Sequence, residues 1–227
     1  MVVFATFASE NWKSSMDRIK LEAQTSGFFD KVLCHDESKL PTSFLDYAKR
    51  NPRGYGFWRW KHMICGGIID NINLGDYLVY ADAGCAINPY GNMKRWLEIA
   101  DEKGMVSFEL GKGMTERKYT KMETMKKLNL ERFIDTPQLM STIFVAKRTR
   151  STTGVLDYAR SCAMNMPEIY DDYTENEDPE FVDHRHDQSV FSLLRKLYEF
   201  ESIPDETYHD GHGNYNPMVP IWATRRR

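Results

Sequence analysis

The chain opens as strand, helix, strand, and that order limits what it can fold into. Val2 to Ala8 is an apolar, β-branched run, residues 10–26 set Trp12, Met16, Ile19 and Leu21 at helical spacing before Gly27, and Lys31 to His35 makes a second short strand. Two strands joined by a helix favour a parallel pairing, and a parallel sheet needs helices on both faces. Tyr77 to Ala81 is the most apolar strand, with further strands at Met105 to Phe108 and Met140 to Ala146. Helices are expected over Trp58 to Asn71, Asn92 to Asp101, Lys121 to Leu128, Thr153 to Asn165 and Asp187 to Glu199. Residues 40–54 read as loop with a short helix, and residues 167–180, with seven acidic groups and two prolines, as exposed loop. No repeat or linker interrupts the pattern. The 227 residues are therefore expected to form one α/β domain, a central, mostly parallel twisted sheet flanked by helices.

Composition narrows the function classes. With 30 Lys plus Arg against 33 Asp plus Glu the chain has no basic footprint, which argues against a nucleic-acid partner. A hydrophobic fraction of 41% argues against disorder. Cys34, Cys65, Cys85 and Cys162 show no CxxC spacing and read as reduced thiols of a cytoplasmic chain. The N-terminal apolar run is too short for a signal peptide, and nothing reaches the ~18 apolar residues of a membrane span. Four of the six histidines, His184, His186, His209 and His212, fall in one short stretch. Zinc is one reading of that cluster, although HxH followed by HxxH fits no standard finger and no cysteine accompanies it.

Ligands of open α/β sheets bind beyond the carboxyl ends of the strands. Asp82 stands there, and Ala83 and Gly84 behind it leave room for a phosphate or a metal to approach the backbone. A turn aspartate that caps the next segment is the structural alternative. The stretch Arg53 to Lys61 interleaves four aromatics with three cations, suited to stacking on rings and neutralising phosphate. At least two of Phe57, Trp58 and Trp60 are expected to anchor the core, leaving Arg53, Arg59 and Lys61 as site candidates. His184 to Ser189 is a polar run before an amphipathic helix whose apolar stripe is Val190, Leu193, Leu194 and Leu197; it either lines a pocket or caps that helix through Asp187 and Ser189.

Six blocks in order, YGFWRWK, GDYLVYADAGCAIN, ERKYTKMETMKKL, TPQLMSTIFVAKR, DHRHDQSVFSLLRKLY and PIWATRRR, resemble a group of GT-A glycosyltransferases found in bacterial capsule clusters and large algal DNA viruses. They span roughly residues 50–227, and the N-terminal half is similar to the leading domain of a chlorella-virus multidomain glycosyltransferase. The resemblance implies a single GT-A domain over residues 1–227. Its nucleotide-binding half would cover about 1–105 and its acceptor half about 106–227. It implies transfer of a sugar from a UDP-linked donor to a hydroxyl of a glycan or glycoprotein. Tyr80-Ala81-Asp82-Ala83-Gly84 takes the place of the GT-A Asp-x-Asp motif, but Gly84 stands where the second aspartate belongs. Mn²⁺ or Mg²⁺ would then be held by Asp82 with His209, Asp210 or His212.

On this resemblance Thr6, Phe7, Ala8 and Ser9 would meet the base and ribose, with Phe7 or Tyr80 packed on the uracil. Arg53, Lys61, Lys121 or Arg225 would neutralise the diphosphate. Asp187 would be the carboxylate nearest the reacting carbon, with Asp183 second. Trp58, Ala81, His186 and Gln188 would line the donor site, and Gln138 would bond a sugar hydroxyl. Arg117, Tyr119 and Thr120 would shape the donor or acceptor pocket. A zinc hydrolase built on the histidine cluster and a sugar-binding module without turnover are the rival classes.

Overall fold

The computed structural model describes residues 1–111, 113–208 and 215–224. In chain order the elements are β1 (Val2–Phe7), α1 (Lys13–Thr25), β2 (Lys31–His35), α2 (Thr42–Arg50), a distorted turn α3 (Gly54–Phe57), α4 (Trp60–Asn71), β3 (Tyr77–Ala81), β4 (Ala86–Ile87) and α5 (Met93–Lys103). Then come β5 (Met105–Val106), β6 (Phe108–Glu109), α6 (Glu116–Tyr119), α7 (Met122–Leu128), β7 (Ile143–Lys147), α8 (Arg150–Asn165), α9 (Asp187–Leu197), β8 (Ile203–Pro204) and β9 (Ile221–Trp222).

The central sheet has the order β2-β1-β3-β7-β5. β1 pairs in parallel with β2 and β3, while β7 runs antiparallel to β3 and β5, so β7 alone opposes the shared direction. Side-chain alternation divides the sheet's two faces. Val3, Ala5, Phe7, Leu78 and Tyr80 join the core built with α4, α8 and α9, and Phe4, Val79 and Ala81 join the core built with α1 and α5. Burial on both faces is why VVFATF and YLVYA read as continuous apolar runs. The expected α/β class is the one observed. Two short ladders, β4 with β9 and β6 with β8, flank the main sheet.

Several boundaries differ from expectation for identifiable reasons. The strand expected from Met140 begins at Ile143, because the Leu139 and Met140 carbonyls are bonded by the buried Arg195 guanidinium at 3.0 and 2.7 Å rather than by a strand neighbour. The helix expected from Trp58 begins at Trp60, because Gly54, Tyr55, Gly56, Phe57 and Trp58 all have positive φ, between 53° and 82°. A left-handed run costs a non-glycine residue about 1–2 kcal/mol per position, so packing must impose it. Around Gly56 there is no room for a side chain: an added Cβ would lie 2.9 Å from the Phe44 ring. The four cysteines are unpaired. Among the described residues no helix is long and apolar enough to cross a membrane.

Candidate active site

Lys61 lies in the first turn of α4 with its side chain 3% exposed. Its Nζ lies 2.7 Å from Asp187 Oδ2 and 3.1 Å from Asp82 Oδ1, and donates to the Ser141 carbonyl at 3.2 Å. Of these contacts the one to the Ser141 carbonyl has hydrogen-bond geometry, while the two carboxylates hold the ammonium as ion pairs, and Asp187 Oδ2 is buried with no hydrogen-bond partner among the described residues. Burial alone would push this ammonium down, but Asp187 and then Asp82 outweigh it and raise it above its ordinary value. Tyr80, in β3, and Asp82, just past its end, are two residues apart, and the phenol donates to Asp82 Oδ1 at 2.7 Å. Burial raises the Asp82 carboxyl and Lys61 opposes the shift. Asp82 keeps a side-chain exposure of 32%, against 7% for Asp187. One carboxylate thus comes from each half of the chain, and one buried cation joins them.

Asp187 and Ser189 do not cap α9, one of the two alternatives that the sequence leaves open. The cap of α9 is His186, strained at φ 49°, ψ −114°, and Asp187 is the first helical residue with its carboxylate turned to Lys61. Ser189 Oγ instead accepts from the Arg185 N–H at 3.1 Å and donates to the Tyr119 carbonyl at 2.6 Å. Packing imposes the His186 conformation. Its ring stacks on Phe57 and Trp58, with centroids 5.1 and 5.3 Å apart, and its Nδ1 is 2.6 Å from the Tyr170 carbonyl. The left-handed run of residues 54–58 therefore delivers two rings against the residue that begins α9.

The other candidates divide between this site and the interior. Arg53, half exposed, bridges Asp172 at 2.6 Å and Asp183 at 3.3 Å on the rim beside His186. Gln188 accepts from the Ser141 N–H at 3.3 Å and donates to Gln138 at 2.7 Å. Gln138 is fully buried, with its amide directed at Glu116, Tyr119, Thr120 and Ser189 inside the protein. Phe7 is stacked on Trp60 at 4.0 Å and Tyr80 on Phe144 at 5.4 Å, so both rings belong to the core. Thr6, Ala8 and Ala81 are buried, and Ser9 precedes a short turn without capping it. The Gly84 carbonyl accepts from Thr224 at 2.7 Å. Arg59 is bonded to the Ala163 carbonyl. Lys121 is buried in the acidic loop, on the Glu168 carbonyl and Asp171 at 2.6 and 2.5 Å, and Arg117 is paired with Asp135 and Asp178. His209, Asp210, His212 and Arg225 lie outside the described residues. Sequence reasoning missed the Ser141 carbonyl and the Tyr80 hydroxyl; the two-residue spacing of Tyr80 and Asp82 was the available signal for the second.

The described residues do not complete a divalent-metal site. No group of three or more His, Cys, Asp or Glu among them converges, Gly84 offers no side chain, and Asp82 Oδ1 is already bonded. The zinc reading loses His184, whose two ring nitrogens are taken by the Lys121 N–H and the Ile169 carbonyl.

Buried histidines also make acid stability measurable. Burial lowers His62 to about 3 and holds His184 well below its ordinary value. In the unfolded chain both take up protons as pH falls through about 6.5, whereas the folded chain keeps them neutral. Their contribution is therefore complete above that pH and lost below it, by about 2 kcal/mol for each histidine between pH 6.5 and 5. Urea midpoints should fall over this window, and less steeply for His62→Gln. A midpoint that stays level from pH 7 to 5 contradicts the assignment.

No family model matches the chain, and no curated protein matches it in sequence. Its fold is similar to that of a glycosyltransferase involved in the glycosylation of the major capsid of PBCV-1, with TM-score 0.50 and 7% identity over 97% of this chain and 91% of that one. It is also similar to galactosyltransferase LgtC in complex with donor and acceptor sugar analogues, with TM-score 0.50 and 9% identity over 97% and 86%. At such identities the likeness establishes the fold: the chain has the mixed α/β architecture of GT-A glycosyltransferases.

Proposed function

We propose that the chain is a glycosyltransferase that moves a sugar from a nucleoside diphosphate, UDP by preference, to a hydroxyl of a glycan or glycoprotein. The observation that carries this reading is Lys61 set between Asp82, at the carboxyl end of a central strand, and Asp187, at the start of α9, on a fold shared with glycosyltransferases.

Transfer breaks the bond between the anomeric carbon and the diphosphate, so positive charge grows on the sugar and negative charge on the leaving group. Asp187 is the carboxylate for the reacting carbon. It either takes the proton of the acceptor hydroxyl or holds the sugar, and the anomer of the product distinguishes the two. The proposed countercharge for the leaving group is Arg53, which would exchange Asp172 or Asp183 for phosphate. Lys61 does not serve there, because its charge is already paired with Asp82 and Asp187. The Mn²⁺ or Mg²⁺ implied by the resemblance would need His209 and His212 beside Asp82, and no step here depends on it.

A thermal-shift panel of nucleoside diphosphates and their sugars tests the reading. At about 100 times its Kd, UDP contributes about 2.7 kcal/mol and should raise Tm by about 5 °C or more. Transfer from the hit to an acceptor then identifies the sugar. A panel without any shift overturns the proposal, and a shift without turnover favours a sugar-binding module.

A further inference from the structure

The same triad bears on the metal question, given the donor reading above. Burying an ammonium is costly unless it is paired, and Lys61 is paired with two carboxylates and donates to the Ser141 carbonyl. A divalent ion on Asp82 would share a carboxylate with that ammonium, so two cations would crowd one carboxylate. Mg²⁺ and Mn²⁺ also favour about six oxygen or nitrogen ligands in a regular array. Among the described residues the Asp-x-Gly turn instead provides one carboxylate, with one oxygen already bonded to Tyr80. The second oxygen, on a side chain 32% exposed, has the chemistry to accept a hydroxyl.

We propose that Lys61 is the built-in countercharge of the carboxylate pair, that Asp82 binds a hydroxyl of the donor rather than a divalent ion, and that nucleoside-diphosphate binding needs no metal. Lys61 cancels one of the two carboxylate charges and leaves the other for the carbon that becomes positive. The ion pair with Asp187 fixes where that charge stands.

Two arms on the native chain test this. Calorimetry should give UDP affinities that agree within about twofold in EDTA and in Mn²⁺. An affinity that EDTA lowers tenfold or more overturns the inference. Mn²⁺ alone, followed by electron paramagnetic resonance, should not bind the native chain at a site that Asp82→Asn removes; binding lost in that variant overturns the inference. A chain that binds no UDP under either condition fails the donor reading, and the Mn²⁺ arm still decides the cation question. A third arm uses Lys61→Ala and Lys61→Met, checked for folding by circular dichroism. Without the ammonium two carboxylates face each other, so Mn²⁺ should bind and raise the Tm of whichever variant folds. A folded variant indifferent to Mn²⁺ counts against Lys61 as the countercharge.

Discussion

Asp187→Asn is expected to cut both sugar transfer and donor hydrolysis by about 10²–10⁴-fold, the usual range for a carboxylate acting on developing charge or on a proton in flight. The substitution preserves shape and removes the negative charge that faces Lys61 at 2.7 Å. Stability should fall modestly, by about 1–3 kcal/mol, because Lys61 keeps Asp82 and the Ser141 carbonyl. Urea midpoints separate that loss from the kinetic one. Asp183→Asn is the contrasting case. Its carboxylate is 50% exposed and meets Arg53 at 3.3 Å on the rim, so stability should change by less than about 1 kcal/mol. An Asp187→Asn chain with native rates, beside an inactive Asp183→Asn, would place the chemistry at Asp183.

The sequence patterns that carry the fold are local, and they were legible. A βαβ opening, a doubly buried YLVYA and the stripe of Val190, Leu193, Leu194 and Leu197 each obey a periodicity that a reader can see. Asp82 was legible for a similar reason, since a polar residue after the most apolar strand must lie at the sheet's carboxyl edge. Side-chain partners were not. Lys61 reads as a phosphate ligand from its cationic neighbourhood, and only the packing of α4 and α9 against β3 shows that it bridges two carboxylates. Gln138 before a strand reads as a free amide, but the Glu116 and Tyr119 groups that engage it belong to α6. The left-handed run was hidden because Phe57 and Trp58 are poor residues for positive φ, so propensity argues against what packing on His186 enforces.

The largest stability effect is expected at Glu116→Ala, which tests whether the C-terminal half of the chain holds the site in place. Glu116 is fully buried, and its two oxygens serve Lys196 at 2.6 Å, Gln138 at 3.3 Å and the hydroxyls of Thr120 and Ser192. The neighbouring Arg195 is also buried, lowered to about 9 by desolvation with Glu116 opposing the shift. Removing the carboxylate leaves the Lys196 ammonium without its anionic partner and weakens the polar network around Gln138. A cost of about 3–5 kcal/mol is expected, or a Tm fall of about 10 °C. Glu116→Gln keeps an acceptor and should lose less. The loss should also reach catalysis: Gln138 holds Gln188, Gln188 accepts from the Ser141 N–H, and the Ser141 carbonyl holds Lys61. Transfer rates measured below the variant's Tm should therefore fall as well, with donor affinity less affected than turnover. A Glu116→Ala chain that melts like the native one would mean that the buried cations find water or other carbonyls, and that α6 does not brace the carboxylate pair.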